Sequence, residues 1–254
     1  MRPKIIAGNW KMHKDIDDSI ELIQGIKSAA SSSPAGVKLI VCPPFTSLAV
    51  AQRLLEGTQI GLGAQNMSPE DEGAFTGEIS AKMLKSVGCR FVIVGHSERR
   101  QYFAESNDLI NKKARKALAS GLIPIICVGE TLEEREKNLT EKVISVQIKG
   151  VLKELTAAEV EKSIIAYEPV WAIGTGKTAT PKQAEEVHQF IRKQIGQMHD
   201  WASAEKVVIQ YGGSVKPENA QTLMSQPNID GALVGGACLK ADSFALIAKA
   251  AASS

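Results

Sequence analysis

Cysteine is sparse and unpatterned in this chain. Cys42, Cys89, Cys127 and Cys238 lie far apart with no Cys-x-x-Cys pair, which excludes a disulfide-held scaffold and a cysteine-based zinc site. The first three sit in or beside apolar runs and read as buried thiols of a reducing compartment. Long hydrophobic runs are missing too: the longest, Leu122 to Val128, falls far short of the ~18 residues a membrane-spanning helix needs. The first apolar run breaks at Gly8-Asn9, too early for the core of a secretory signal, so Asn66-Met67-Ser68 and Asn138-Leu139-Thr140 carry no glycan meaning. Neither sign of charge dominates. Lys and Arg number 30 against 28 Asp and Glu, a formal +2, too balanced for a partner that is a polyphosphate strand. There is no Gly-x-Ser-x-Gly elbow and no His-Glu-x-x-His pair. His188 and His199 stand about 16 Å apart along one helical stretch at ~1.5 Å per residue, too far to share a metal. These absences point to a soluble cytoplasmic protein with no metal and with neither nucleic acid nor membrane as partner.

What is present is an ordinary globular composition, 44% hydrophobic and 23% charged over 254 residues, enough for one large domain or two small ones with a sizeable core. Eight short apolar runs recur: Lys4 to Trp10, Val37 to Cys42, Gln59 to Ala64, Arg90 to Gly95, Leu122 to Val128, Ser163 to Glu168, Lys206 to Tyr211 and Asp230 to Gly235. Runs without polar alternation suit strands buried on both faces, as in a parallel sheet covered by helices. The segments between them carry the helical period, as in Ile110, Ala114, Ala117 and Leu118, with Gly121 placed as a terminator. Successive strand ends are separated by about 32 residues on average, the length of one strand-helix unit. Eight units without a linker predict a single (β/α)8 barrel domain over residues 1–254. An open doubly wound sheet allows the same alternation, and the unit count favours the barrel.

In a barrel the chemistry sits at the carboxyl ends of the strands. Those ends carry Asn9 and Lys11, Gln65 and Asn66, His96 with Ser97 and Glu98, Glu130, Glu168, Gly212-Gly213-Ser214 and Gly235-Gly236. Taken singly, a strand-end Glu is more often a cap or a salt-bridge partner. A carboxylate, an imidazole, an ammonium group and glycine turns at one mouth suit proton transfer beside a bound anion. Glycine turns after the last two strands are where backbone N–H groups commonly hold a phosphate in this architecture. After Glu168 comes a long connection: Pro169, Val170, Trp171, Ala172, Ile173, Gly174, Thr175, Gly176, Lys177, Thr178 and Ala179. It fails as a nucleotide loop, which needs Gly at the position of Trp171, and as a dinucleotide turn, since Gly174 is too far from Glu168. It reads as a mobile lid, with Trp171 and Ile173 excluding water and Gly174 and Gly176 letting backbone reach the ligand. The charged run Glu133 to Lys137 reads as a solvated helix face.

These motifs resemble the triosephosphate isomerases along essentially the whole chain. The resemblance rests on Gly8-Asn9-Trp10-Lys11-Met12, Gly73-Ala74-Phe75-Thr76-Gly77-Glu78, Gly95-His96-Ser97-Glu98-Arg99-Arg100, Ala166 to Gly176, Tyr211-Gly212-Gly213-Ser214-Val215 and Gly235-Gly236. It implies a TIM barrel that interconverts dihydroxyacetone phosphate and D-glyceraldehyde 3-phosphate, in glycolysis and gluconeogenesis, without cofactor, as a homodimer. From the known chemistry of the family it implies Glu168 as base and His96 as neutral electrophile, with Lys11 and Asn9 at the phosphate and enediolate and Glu98 holding Lys11. Gly174, Ser214, Gly235 and Gly236 would grip the phosphate through backbone N–H groups. Residues Thr76, Gly77 and Glu78 would belong to a dimer loop, with Thr76 reaching the partner's active site. The start of a short helix at Ser97-Glu98 should hold His96 neutral below its ordinary pKa. Cys238 departs from the family's usual Ser, and the expected effect is a lost hydroxyl contact near the lid. Other phosphate-binding barrels, such as sugar-phosphate epimerases or aldolases, need a metal cluster or a Schiff-base lysine. A sugar-phosphate sensor would not need the full Asn9, Lys11, His96 and Glu168 set.

Overall fold

The computed structural model describes residues 2–30, 36–175 and 177–254. All eight apolar runs become strands: β1 (Lys4–Asn9), β2 (Val37–Cys42), β3 (Gly61–Ala64), β4 (Phe91–Val94), β5 (Ile123–Val128), β6 (Ile164–Tyr167), β7 (Val208–Tyr211) and β8 (Gly231–Val234). They pair in parallel in chain order, and β8 returns to β1 to close a barrel, with Asn9 opposite Cys42 and Ile5 opposite Gly231. With helices between the strands this is a (β/α)8 TIM barrel. The open doubly wound sheet is excluded by the β1–β8 ladder.

The missing polar alternation has a direct cause. Phe91 and Ile93 of β4 point into the barrel with Ile5, Ala7, Ile40, Ile125 and Ala166, while Val92 and Val94 face the surrounding helices with Ile6, Val41 and Ile126. Both faces of the strands are therefore mainly apolar, with Gln210 of β7 an exception whose Nε2 donates to Ile5 O at 3.0 Å inside the barrel. Large and small residues alternate around the interior. A Cβ on Gly61 would stand 2.7 Å from Phe91 Cε2, and one on Gly63 would stand 2.7 Å from Cys42 Sγ, so β3 makes room for the Phe91 ring. Dense filling of this kind leaves the barrel a packed core and places the site at its rim.

Local signals set the helix ends. In the helix Asn107–Ala119 the Ser106 hydroxyl accepts the Leu109 N–H at 3.2 Å. At the other end Gly121 takes φ +79°, its N–H bonds Leu118 O and the Leu122 N–H bonds Ala117 O, both at 2.9 Å, the paired closure expected of a terminating glycine. β1, β4, β6 and β8 stop one residue short of their apolar runs, and the other four strands end with theirs. Gly95 turns at φ +72° after β4, which releases His96 to begin the helix Ser97–Phe103. Glu168 likewise lies one residue beyond β6. Among the described residues, no helix is long and apolar enough to cross a membrane.

Candidate active site

Glu168 is placed by backbone on three sides. Its N–H donates to Val128 O at 2.7 Å, and the Gly212 N–H donates to the preceding carbonyl, Tyr167 O, at 2.7 Å. Two glycines make these approaches possible: a Cβ on Gly129 would lie 1.7 Å from Glu168 O, and one on Gly212 would lie 2.9 Å from Glu168 Cγ. The carboxylate is 2% exposed. Its Oε2 accepts the Ser97 N–H at 2.8 Å. Oε1 is buried and stands 2.9 Å from His96 Nε2.

His96 is the N-cap of the helix Ser97–Phe103, and its Nδ1 accepts the Glu98 N–H at 3.2 Å. A neutral ring therefore carries its proton on Nε2, toward Glu168. Burial disfavours the imidazolium, but the ionised Glu168 opposes it by charge and contact, Glu98 adds to that, and Lys11 works the other way. The balance lies above the ordinary histidine value. This corrects the expectation of a lowered value: the helix start is present, but a facing carboxylate outweighs it while the two groups touch. Burial pushes Glu168 up, yet His96, the Ser97 N–H and Lys11 hold it below the ordinary carboxylate range.

Lys11 is held by its own peptide. It adopts φ +52°, a left-handed conformation costing about 1–2 kcal/mol for a residue with a Cβ. The Asn9 Oδ1 accepts its N–H at 3.0 Å, and Gln65 Nε2 donates to its carbonyl at 2.8 Å and to Cys42 O at 2.9 Å. Its Nζ lies 2.6 Å from Glu98 Oε1. Gln65 had only its strand-end position to mark it, and its contacts tie the ends of β2 and β3 to the Lys11 turn.

The connection read as a lid begins with a 3-10 turn, Val170–Ala172. Trp171, expected with Ile173 to exclude water, does not line the cavity. Its Nε1 donates to Glu130 Oε1 at 2.9 Å, which also accepts from Tyr167 Oη and Arg135 Nη1, each at 3.1 Å. The Arg135 guanidinium lies 4.6 Å from the Trp171 ring centroid. Trp171 is thus the lid's anchor, and Arg135, from the run read as a solvated face, is part of it. Ile173 and Gly174 are the lid residues that line the cavity, with Gly174 at φ +70°. The Thr175 hydroxyl donates to Trp171 O at 2.7 Å and accepts the Lys177 N–H at 3.2 Å. Thr178 is exposed and Ala179 is buried. Gly176 lies outside the described residues.

One cavity of about 620 Å³ brings together Asn9, Lys11, His96, Glu168, Ile173, Gly174, the Gly212-Gly213-Ser214 turn, Gly235 and Gly236. Gly236 has nothing within 4 Å of where a Cβ would stand, so its backbone is open to a ligand. Glu98 stands behind Lys11. Thr76, Gly77 and Glu78 lie elsewhere, on an exposed loop. The Cys238 side chain packs against Gly8. It is fully buried, and a Cβ on Gly8 would lie 3.2 Å from its Sγ and 3.3 Å from Phe244. Burial pushes its thiol up to about 12, so it packs as a small apolar group. Among the described residues, no three His, Cys, Asp or Glu side chains gather as metal ligands.

The family model for triosephosphate isomerase matches residues 4–251. Curated relatives of that name are 55% identical in Rhodopirellula baltica over 249 residues, covering 98% of each chain, and 53% identical in Endomicrobium trichonymphae over 249 residues, covering 98% of this chain and 99% of the relative. A third, from Carboxydothermus hydrogenoformans, is 54% identical over 253 residues with the same coverage. With the match running through every strand of the barrel and every residue of the cavity, the chain belongs to the triosephosphate isomerase family.

Proposed function

We propose that this chain is an isomerase that interconverts dihydroxyacetone phosphate and D-glyceraldehyde 3-phosphate through an enediolate, with Glu168 as the base. One observation carries the reading: a fully buried carboxylate whose Oε1 faces an imidazole N–H in a cavity shared with an ammonium group and two glycine turns. Glu168 leaves the Ser97 N–H, takes the proton from the carbon beside the substrate carbonyl, and returns it to the neighbouring carbon. Negative charge develops on the carbonyl oxygen in the first step. The Nε2–H of His96, the Lys11 ammonium and the Asn9 side chain face that charge. Once Glu168 turns to the substrate, its pull on His96 ends. Burial, Lys11 and the helix start then favour a neutral ring, the form suited to donate and take back a proton along the enediolate oxygens.

Backbone N–H groups of Gly174, Ser214, Gly235 and Gly236 hold the phosphate, and the lid keeps water from the enediolate. All of the proton traffic uses side chains of the chain, and the reaction calls for no cofactor. The exposed loop with Phe75, Thr76, Gly77 and Glu78 supports a homodimer. The reaction belongs to glycolysis and gluconeogenesis in the cytoplasm. A coupled assay supplying D-glyceraldehyde 3-phosphate and reading dihydroxyacetone phosphate tests the reading. Turnover without added metal or cofactor is expected, and an inert protein would overturn it.

A further inference from the structure

The connection after Glu168 borders two cavities. Ile173 and Gly174 line the catalytic one, while Val170, Trp171, Thr175 and Lys177 line a second, of about 680 Å³. No residue lines both. The rest of the second cavity is frame, contributed by Thr131 and Leu132 after β5 and by Ser97 and Gln101 of the helix after β4. The two sides are tied by backbone where they meet: the Val170 N–H donates to Glu130 O at 3.1 Å. Most polar side chains of the lining are already spent. Gln147 accepts the Gly129 N–H at 2.8 Å and donates to Gly129 O at 2.9 Å. Glu134 accepts the Thr131 N–H at 2.8 Å and the Thr131 hydroxyl at 3.0 Å. Arg100 donates to Gly95 O, Asn107 Oδ1 and Cys127 O at 2.9, 2.7 and 3.0 Å. Gln101 and Lys177 are exposed to water. What is left to receive a ligand is apolar: Val170, the Trp171 indole, whose N–H is held by Glu130, and Leu132, which is 39% exposed.

We propose that this second cavity is a regulatory site for a neutral, flat aromatic molecule, which holds the lid at rest when bound. A lining that has satisfied its own charges and amides gains little from an anion, whereas the indole offers a ring for stacking or edge contact. Two hydrogen bonds define the resting arrangement: Ser97 N–H to Glu168 Oε2 at 2.8 Å, and the Thr175 hydroxyl to Trp171 O at 2.7 Å. Ser97 and Thr175 both line the second cavity. In the proposed function Glu168 leaves Ser97 and the lid moves over the substrate. That movement displaces Thr175 and Lys177 while the frame stays with β5 and the helix after β4, so the cavity loses its present shape. A ligand that uses both walls therefore favours the resting arrangement and weakens phosphate binding by a factor that saturates once the site is full. The effect on turnover rests on the lid of the proposed function; binding to the cavity does not.

The test uses 2-naphthol, uncharged at pH 7. Titration calorimetry should show one site with a Kd below about 1 mM. Leu132→Asp places a charge in the wall, at the first turn of its helix where a carboxylate is compatible with the fold; it should weaken 2-naphthol binding at least tenfold and leave kcat of the free enzyme unchanged. Saturating 2-naphthol should raise the apparent KM to a plateau of roughly fivefold and weaken calorimetric binding of glycerol 3-phosphate by the same factor. Both effects should vanish in Leu132→Asp at the same probe concentration. No binding, binding indifferent to Leu132→Asp, unchanged phosphate affinity at saturation, or a KM that climbs without a plateau, as competition in the catalytic cavity would give, would each overturn the regulatory site. An inert chain that keeps both calorimetric effects supports the site and overturns the proposed activity instead.

Discussion

Two hydrogen bonds decide what the facing ionisable groups can do. The Glu98 N–H on His96 Nδ1 commits the ring's other nitrogen to donation, and the Ser97 N–H on Glu168 Oε2 leaves Oε1 as the basic atom beside His96. Glu168→Gln keeps the shape and removes the base, so turnover should fall by roughly 10²-fold to 10⁴-fold with little change in the affinity for a phosphate ligand; near wild-type turnover in the assay would sink the assignment. The same substitution removes the facing carboxylate that holds His96 above its ordinary value. With that pull gone, burial and Lys11 remain, and the His96 titration should move to lower pH in the variant. Nitrogen NMR of the ring across the pH range reads this, and an unmoved titration would show that Glu168 does not govern the ring. At this scale Asn9, Lys11, His96 and Glu168 were legible as polar residues at strand ends. Their electrostatics were not, because the 2.9 Å approach of Glu168 to His96 joins β6 to the helix after β4, and no spacing along the chain encodes it. Trp171 misled for a similar reason. An indole beside glycines looks like a cover, and only the fold brings Glu130 beneath it to accept its N–H.

Between elements, the lid is a strap fastened firmly at one end. Glu130, at the end of β5, gathers Tyr167 from β6, Trp171 from the lid and Arg135 from the helix Leu132–Glu136 on a single oxygen. Beyond that anchor, the stretch holding Gly174 and Thr175 is exposed, with Gly174 in a left-handed turn. On the proposed mechanism, phosphate binding energy spent on this stretch would close the cavity over the enediolate. Shortening Ile173 to Lys177 should keep Glu168 and the anchor in place while letting the intermediate reach water, lose phosphate and form methylglyoxal. The yield of methylglyoxal relative to isomerised product measures that partition, and an unchanged ratio with normal turnover would reduce the segment to a connector. Element positions were readable because strands buried on both faces are mainly apolar, and Gly121 marks a helix end by a conformation that few other residues supply. The anchor was hidden because Glu130, buried and triply bonded, looks like any other strand-end carboxylate until the neighbouring strands are in place.

For the whole molecule, the exposed loop bearing Phe75, itself 47% exposed, predicts association. The chain should elute at twice its 27.2 kDa mass, and Phe75→Glu should shift it toward the monomer, with a loss of turnover on the proposal that Thr76 reaches the partner's site. A fully active wild-type monomer would overturn the homodimer. The barrel as such was foreseeable from the count of strand-helix units, whereas its closure depended on a pairing between the two ends of the chain. That pairing has a consequence for how the molecule is made. Ile5 finds its β8 partner only when Gly231 has been synthesised, so during translation β1 presents an open, apolar edge that any other strand can extend. Every later strand up to β7 adds at the opposite edge of the growing sheet and leaves this one exposed. Protection against misassembly therefore arrives all at once with the last unit, and folding speed is tied to the most distant contact in the chain.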